Sequence, residues 1–488
     1  MSELKRKTKK CRNKKYMMGA DVTQYNCLTF GQSLRGLPSD DSDCEEYEQF
    51  SGNDKRKKGS KYPLAKKKFK SDCSHKLSDL ESSLNWSHLI PNEILYKIFL
   101  LAVSSGSCVP LLARLSRVCH KWRDVASHSS LWCSIDLSFM SNSSKACDET
   151  IYFMKAKKML NNIKDLSLKG WTKLTNSGLQ EISEHCKELV TLDLSRCEKI
   201  GSNTILDVAK SCRNLTSVDL SATNVNGATI KKILCDNGSQ LEKLVLANNL
   251  IGSSVLLAIE CHCNQIKILD LSSTSISTFS VERLQVACPN IQELRLSQLS
   301  LMPSIVSNKE IVASSGFPQL ELLSLATLNK GDGINDNLLL RLLKSSCKLR
   351  QLDLRGCEKI THMVFASLPV VALEQLLLSR CKMSWTDLFK IINSKWQESL
   401  KELDVSWCKN LSDASLQYLL TGAQNKVFAK LDFSGTAISA NGLRIILKKC
   451  HSLSELNLTS CRGINRGQKQ LHHEDDIKEM KRNLKTAS

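Results

Sequence analysis

The sequence predicts an α/β solenoid, in which many strand–helix units follow a small helical domain and a basic tail. Three observations indicate this architecture. A strand-like Leu-x-Leu pattern returns about every 26 residues from residue 160 onward. Aromatic residues make up only 5% of a chain that is 42% hydrophobic, so the core must be mostly aliphatic. The first 81 residues are rich in charge and poor in apolar side chains, which predicts disorder.

The repeated unit has a strand of the form x-Leu-x-Leu-Ser, then an amphipathic helix, then Cys-x-x-Leu leading into the next strand. The first apolar strand residue falls at twelve positions: Leu166, Leu192, Val218, Leu244, Leu269, Leu294, Leu323, Leu352, Leu376, Leu403, Leu431 and Leu456. The intervals of 24 to 29 residues are typical of leucine-rich repeats. We therefore predict a leucine-rich-repeat horseshoe of about twelve units over residues 137–465, with strands lining its concave side.

Both ends of the repeat array are predicted to be atypical. Ile135-Asp136-Leu137 resembles one further strand, which would close the N-terminal end. After Ile464 the sequence shows no further strand pattern. Within residues 466–488, Ile477, Met480 and Leu484 have helix spacing, which favours a capping helix over the last repeat or a charged tail.

The segment 82–136 has a different pattern, that of short packed helices. Pro91 suits the first turn of a helix, where its missing N–H loses no hydrogen bond. Apolar residues then recur on two neighbouring faces: Ile94, Ile98 and Leu101 on one, and Leu95, Phe99 and Ala102 on the other. Two apolar faces on one short helix predict two sets of contacts, one within a small bundle and one with another protein.

Three blocks of this segment resemble an F-box in order and spacing. They are Leu89-Ile-Pro-x-Glu-Ile-Leu-x-x-Ile-Phe99, Val118-Cys-x-x-Trp122 and Leu131-Trp132. The repeats resemble the cysteine-containing class of leucine-rich repeats, and an F-box followed by such repeats is the domain order of the F-box/LRR family. The resemblance implies a non-catalytic substrate-recognition subunit of a ubiquitin ligase that needs no cofactor.

In that family the F-box binds a Skp adaptor protein, which docks on a cullin that carries a RING subunit. The repeats hold a protein substrate for ubiquitination and proteasomal degradation. The resemblance assigns adaptor binding to eight positions of this sequence: Leu89, Ile90, Pro91, Ile94, Leu95, Ile98, Val118 and Cys119.

The residue between the two strand leucines is predicted to face the concave side of the array. In order these residues are Ser167, Asp193, Asp219, Val245, Asp270, Arg295, Ser324, Asp353, Leu377, Asp404, Asp432 and Asn457. Asp is the consensus of this repeat class, but Arg196, Arg355, Arg380 and Trp407 just beyond the strands are less expected. Because Arg and Trp often anchor interfaces, these four are candidate substrate-binding residues. Alternatively, the Arg residues only neutralise the Asp row.

The residue pattern does not favour a metal site or a catalytic site. Ten of the 21 cysteines occupy two repeat positions, and the sequence shows no paired Cys-x-x-Cys spacing, so we expect free, buried thiols and no zinc site. One group follows the second strand leucine: Cys197, Cys357, Cys381, Cys408 and Cys461. The other ends the helices: Cys186, Cys212, Cys288, Cys347 and Cys450. The run 472–476 is interpreted as a solvated helix face, and the sequence contains no phosphate-binding loop.

The net charge of +19 is divided between the tail and the rest of the chain, which argues against a dedicated nucleic-acid module. Residues 55–58 and 66–68 resemble a bipartite nuclear-import signal, so we expect a nuclear or cytoplasmic protein. No apolar run is long enough to predict a membrane span. Two alternatives remain at this point: an interaction scaffold without ligase function, and a basic nucleolar or RNA-associated protein.

Overall fold

The computed structural model describes residues 90–104, 108–278, 280–302, 314–328, 333–421, 427–464 and 470–486. The predicted basic tail, with its import signal, and Leu89 lie outside the described residues. The chain divides into two compact units, the first ending at Cys133 and the second beginning at Ser134. None of the described helices is long and apolar enough to cross a membrane.

The first unit is a small helical bundle. Its helices are α1 (Asn92–Val103), α2 (Val109–Leu115) and α3 (His120–Ala126), followed by a 3-10 turn at Ser129–Leu131. Pro91 immediately precedes α1, as the sequence predicts, because α1 does not need its missing N–H. The rings of Phe99 and Trp122 meet edge to face with centroids 5.2 Å apart, and the Trp132 indole N–H donates to the Ala126 carbonyl over 2.9 Å.

The second unit is built of strand–helix repeats. Its strands are β1 (Ser134–Asp136), β2 (Asp165–Ser167), β3 (Thr191–Asp193), β4 (Ser217–Asp219), β5 (Lys243–Val245), β6 (Ile268–Asp270), β7 (Glu293–Arg295), β8 (Leu322–Ser324), β9 (Gln351–Asp353), β10 (Gln375–Leu377), β11 (Glu402–Asp404), β12 (Lys430–Asp432), β13 (Glu455–Asn457) and β14 (Leu471–His473). Its described helices are α4 (Asp148–Ala156), α5 (Asn176–His185), α6 (Ser202–Ser211), α7 (Gly227–Asn237), α8 (Ser253–His262), α9 (Val281–Ala287), α10 (Asp336–Leu343), α11 (His362–Ser367), α12 (Trp385–Lys395), α13 (Asp413–Leu419), α14 (Ala440–Lys449) and α15 (Glu474–Thr486).

The strands form one sheet in sequence order, and β1 to β13 are all parallel. Every predicted first strand residue is the central residue of its strand, and each is buried. The pairing keeps these residues side by side, so that Leu192 lies between Leu166 and Val218. The predicted fold class, an α/β leucine-rich-repeat array preceded by a helical unit, is confirmed.

Buried polar contacts link each repeat to its neighbour. An Asp in the first turn of several helices accepts a hydrogen bond from the N-cap residue of the next repeat's helix, as Asp148 does from Thr175 N and Asp413 does from Ser439 N. Cysteine thiols also bridge repeats: Cys212 Sγ donates to the Cys186 carbonyl over 3.1 Å. These contacts explain why Asp, Ser, Thr and Cys recur at fixed repeat positions.

The prediction that the repeat cysteines are buried is wrong for Cys347, which is exposed. Ser346 takes the interior position instead, and its hydroxyl donates to the Phe317 carbonyl over 2.9 Å. The interior position at the end of each helix requires a small side chain that can donate a hydrogen bond to the preceding repeat. Ser346 meets this requirement one residue before the position at which the sequence pattern places Cys347. Cys235 and Cys261, which lie outside the two repeat positions, are exposed as well.

The C-terminal segment contains a strand that the sequence did not reveal. β14 pairs antiparallel with β13, and α15 follows it directly. The segment lacks the Leu-x-Leu pattern because His472 supplies the inward side chain of β14. The interpretation of residues 472–476 as a solvated helix face is therefore wrong for His472 and His473, which belong to the strand. Ile477 is fully buried, and Lys481 Nζ donates to the Cys450 carbonyl at the end of α14 over 2.7 Å. Strand and helix together cover the last edge of the sheet.

Candidate functional site

Helix α1 presents an apolar face to solvent. Ile94 is 47% exposed, Ile98 is 48% exposed and Leu101 is 74% exposed. Their spacing places them on one side of the helix, and we call them the α1 apolar face. Leu95 and Phe99, on the neighbouring side, are each 1% exposed. The helix therefore has two apolar faces, of which only one is used by its own bundle.

The predicted adaptor-binding residues differ in how exposed their side chains are. Pro91, Ile94, Ile98 and Val118 are exposed, whereas Ile90 and Cys119 are half-buried. The assignment of Leu95 to a binding surface needs correction: its side chain packs inside the bundle and supports the α1 apolar face from below. Leu101, which the resemblance did not assign to adaptor binding, shares the exposed face with Ile94 and Ile98, and its helical spacing from them was the available signal.

On the strand face of the repeats, the Asp residues have a local structural role. Each accepts a hydrogen bond from the backbone N–H two residues later, as Asp193 does from Ser195 and Asp432 does from Ser434. Asn457 accepts from Thr459 N in the same way. Burial raises the pKa of Asp404, although hydrogen bonds from Ser406 oppose that shift. The row of carboxylates thus closes the turn that follows each strand.

The same turn contains a residue with a left-handed backbone, three positions after the end of the strand. We call this the left-handed position, and φ there lies between +53° and +80°. Its occupants are Gly170, Arg196, Ala222, Asn248, Ser273, Gln298, Gly356, Arg380, Trp407, Gly435 and Ser460. Gly adopts this conformation freely and Asn tolerates it, whereas large side chains disfavour it. Three of the four predicted substrate-binding residues therefore occupy a conformationally unfavourable position.

Arg355 differs from the other three predicted residues. It precedes the left-handed position by one residue, and its guanidinium donates to both carboxylate oxygens of Asp353 over 2.9 and 2.8 Å. Hydrogen bonding to Asp353 raises the pKa of Arg355. This contact fits the alternative interpretation, in which an Arg residue neutralises the Asp row.

Arg196 is also separate, because it follows β3 whereas Arg380 follows β10, seven strands further along the sheet. At the usual strand spacing this separation is roughly 30 Å. The four predicted residues therefore do not form one group.

Arg380 and Trp407 lie on neighbouring turns. The Arg380 N–H donates to the Ser406 carbonyl over 2.9 Å, and the Trp407 N–H donates to the Ser434 carbonyl over 2.7 Å. Both side chains are exposed, Trp407 by 54%. The Trp407 ring lies against Gly435, where an added Cβ would come within 2.7 Å of it. We call this pair the Arg380–Trp407 surface.

The buried thiols of the repeats are expected to be unreactive. Burial raises the pKa of Cys186, Cys197 and Cys381 to about 12. Because the thiolate is the nucleophile and the metal ligand, these groups stay protonated at neutral pH and act as small packing residues.

Comparison with known proteins agrees with this arrangement. The family model described as F-box-like matches residues 87–138, and the one described as Leucine Rich repeat matches residues 397–420. F-box/LRR-repeat protein 4 of Bos taurus is 28% identical over 190 residues, which are 37% of this chain and 29% of the bovine protein. The match thus spans less than a third of that relative.

Among solved structures, the yeast Rad7 and Elc1 complex is similar at 18% identity, covering 85% of this chain and 90% of that chain with a TM-score of 0.48. A leucine-rich-repeat protein of Leptospira interrogans is 19% identical, covering 62% and 79% with a TM-score of 0.35. By its own fold and family-model matches, the chain is a leucine-rich-repeat protein with an F-box-like segment. Its domain content and order are similar to those of the bovine F-box/LRR-repeat protein.

Proposed function

We propose that this chain is the substrate-recognition subunit of a Skp-cullin-F-box-type ubiquitin ligase. The α1 apolar face carries the proposal, because it lies within the F-box-like segment and is left uncovered by its own bundle. A Skp-type adaptor would cover this face and connect the chain to a cullin and its RING subunit. The repeats would hold the protein substrate.

The proposed mechanism requires no nucleophile in this chain. Binding the substrate and the charged ubiquitin-conjugating enzyme to one assembly raises the effective concentration of a substrate lysine near the thioester. The chain would act by positioning alone. Ubiquitination would then lead to proteasomal degradation of the substrate.

Replacing the α1 apolar face tests the proposal in cells. The triple variant Ile94→Ser, Ile98→Ser and Leu101→Ser removes the exposed apolar atoms and leaves Leu95 and Phe99 in place. Each truncated interface aliphatic typically weakens binding by roughly 1–3 kcal/mol. We therefore expect cullin recovery with the tagged chain to fall more than about tenfold.

A matched control changes three exposed apolar residues of the repeats: Leu250→Ser, Val286→Ser and Met363→Ser. This variant should recover cullin as well as the wild type does. Equal recovery by all three proteins would refute adaptor binding through α1 and would favour a scaffold without ligase function.

We also propose nuclear import through the two basic clusters, residues 55–58 and 66–68, on the basis of their sequence. A reporter fused to residues 50–72 should accumulate in the nucleus. An even distribution through the cell would contradict this proposal.

A further inference from the structure

The left-handed position is occupied by Gly in three of the eleven described turns and by a residue with a side chain in the other eight. Gly170, Gly356 and Gly435 have the residue type that this backbone favours. Arg380 and Trp407 have φ of +62° and +56°, which an L side chain disfavours. Backbone strain of this kind persists where something other than local folding maintains it, and it concentrates at binding sites. Eight of the eleven turns carry a side chain at this position, and Arg380 and Trp407 are distinguished by being large, exposed and on neighbouring turns.

The environment of Trp407 does not supply a folding role that would offset this strain. More than half of the side chain is exposed, so the ring fills no core position. The ring lies against Gly435, which itself has a φ of +70° and lacks the Cβ that would collide with the ring. The indole ring therefore packs against the neighbouring turn at Gly435 and remains 54% exposed.

The charge beside the ring is positive. In the described residues, the side chains of Arg380 and Lys409 are exposed and have no hydrogen bond or ion pair with a protein group. The nearby cations Arg355 and Lys382, in contrast, are neutralised by Asp353 and Glu358.

The carboxylates of the strand face are already engaged. Asp432 accepts from Ser434 N through one oxygen and from Asn457 Nδ2, over 2.8 Å, through the other. Available cations beside a flat aromatic ring, with satisfied carboxylates behind them, complement a ligand that carries both negative charge and an apolar group.

We propose that Arg380, Trp407 and Lys409 form a docking site for an acidic protein segment that places an apolar or aromatic side chain on the indole ring. The segment would belong to the substrate, so this inference rests on the proposed function. The half-buried Asp row beside the site would repel a polyanion that extends across the strands, which favours a short acidic peptide over a nucleic acid.

Peptide selection against the full chain bound to its adaptor tests the docking site. The probe is a displayed random-peptide library, from which the strongest binder is then synthesised with a fluorescent label. Wild-type protein should select peptides enriched in Asp and Glu around an apolar residue. The labelled peptide should bind Arg380→Gly and Trp407→Gly at least roughly tenfold more weakly than wild type.

Arg196→Gly is the matched control, because it makes the same substitution at the same backbone position seven strands away. It should bind the peptide like wild type. Both Arg→Gly variants should melt at or above the wild-type temperature, since Gly relieves the left-handed strain. A lowered melting temperature for Arg380→Gly would show that the residue stabilises the fold, and would overturn the inference.

Three other results would also overturn the docking site: selection without acidic enrichment, undiminished peptide binding by Arg380→Gly and Trp407→Gly, or displacement of the peptide by a single-stranded oligonucleotide at equal concentration. Cullin recovery separates this inference from the proposed function. The Arg380→Gly and Trp407→Gly variants should recover cullin normally, whereas the α1 triple variant should lose cullin and still bind the peptide.

Discussion

The α1 apolar face and the Arg380–Trp407 surface both expose large side chains, but in different physical settings. On α1, aliphatic residues occupy a favourable helical backbone and are unusual only in being uncovered. At the turns after β10 and β11, the backbone itself disfavours the residues that it carries. The first surface can be found from residue spacing alone. The second becomes visible only when the backbone conformation of each repeat is known.

The largest expected effect distinguishes the two sides of α1. Phe99→Ala removes a buried ring that contacts Trp122, and such truncations cost about 3–5 kcal/mol. We expect residues 90–133 to lose protection against hydrogen exchange in this variant. Leu101→Ala, on the exposed side of the same helix, should change stability by less than about 0.5 kcal/mol. Similar losses in both variants would show that Leu101 is also a core residue.

We expect the Asp row to stabilise the fold rather than to take part in binding at the Arg380–Trp407 surface. Asp432→Ala leaves two donors without their acceptor, Ser434 N and Asn457 Nδ2, which should cost about 1–3 kcal/mol in chemical denaturation. Asp432→Asn should retain part of that stability, because its one amide oxygen can still accept from Ser434 N, as Asn457 accepts from Thr459 N, but Asn457 Nδ2 loses its acceptor. An Asp432→Ala variant as stable as wild type would assign the carboxylate to binding instead.

Acid titration should reveal the burial of this row. Burial raises the pKa of Asp404 above the usual 3.8, so the folded chain holds this proton to a higher pH than the unfolded chain does. The contribution of Asp404 to stability is therefore greatest below the unfolded pKa and is lost as pH rises through the folded pKa. The stability of Asp404→Asn relative to wild type should increase over that window. A difference that stays constant with pH would contradict the shift.

The smallest expected effect concerns the backbone strain. Arg380→Gly should raise the free energy of unfolding by up to about 1 kcal/mol, and Ser273→Gly, with a similar φ, should do the same. Chemical denaturation of both variants would measure this. A loss of stability in both would mean that the left-handed position does not disfavour side chains here, which would remove the contrast between the two surfaces.

Much of the fold follows from periodicity, because buried strand residues such as Leu192 and Val218 must repeat in register for neighbouring units to share a core. Departures from the period were harder to predict. Ser346 replaces Cys347 because the interior site requires a small hydrogen-bond donor of either type. β14 was missed because its pairing depends on the free edge of β13 rather than on an apolar pattern of its own.

The candidate sites were predictable to different extents. Helical spacing separated Ile94 and Ile98 from Leu95 and Phe99, but it could not decide which of the two apolar faces the bundle would bury. The F-box resemblance assigned residues of both faces to adaptor binding, and so included the buried Leu95. For the repeats, residue type alone grouped Arg355 with Arg380. Only the structure distinguishes an Arg that pairs with its own Asp from one whose side chain has no acidic partner among the described residues.

We propose above all that the α1 apolar face binds a Skp-type adaptor. The most direct measurement is titration calorimetry of the purified full chain with a purified Skp-type adaptor, repeated with the Ile94→Ser, Ile98→Ser and Leu101→Ser variant. We predict saturable binding by the wild type and binding at least roughly tenfold weaker by the triple variant, with the repeats still folded. Absence of binding by the folded wild type, or equal binding by both proteins, would contradict the claim.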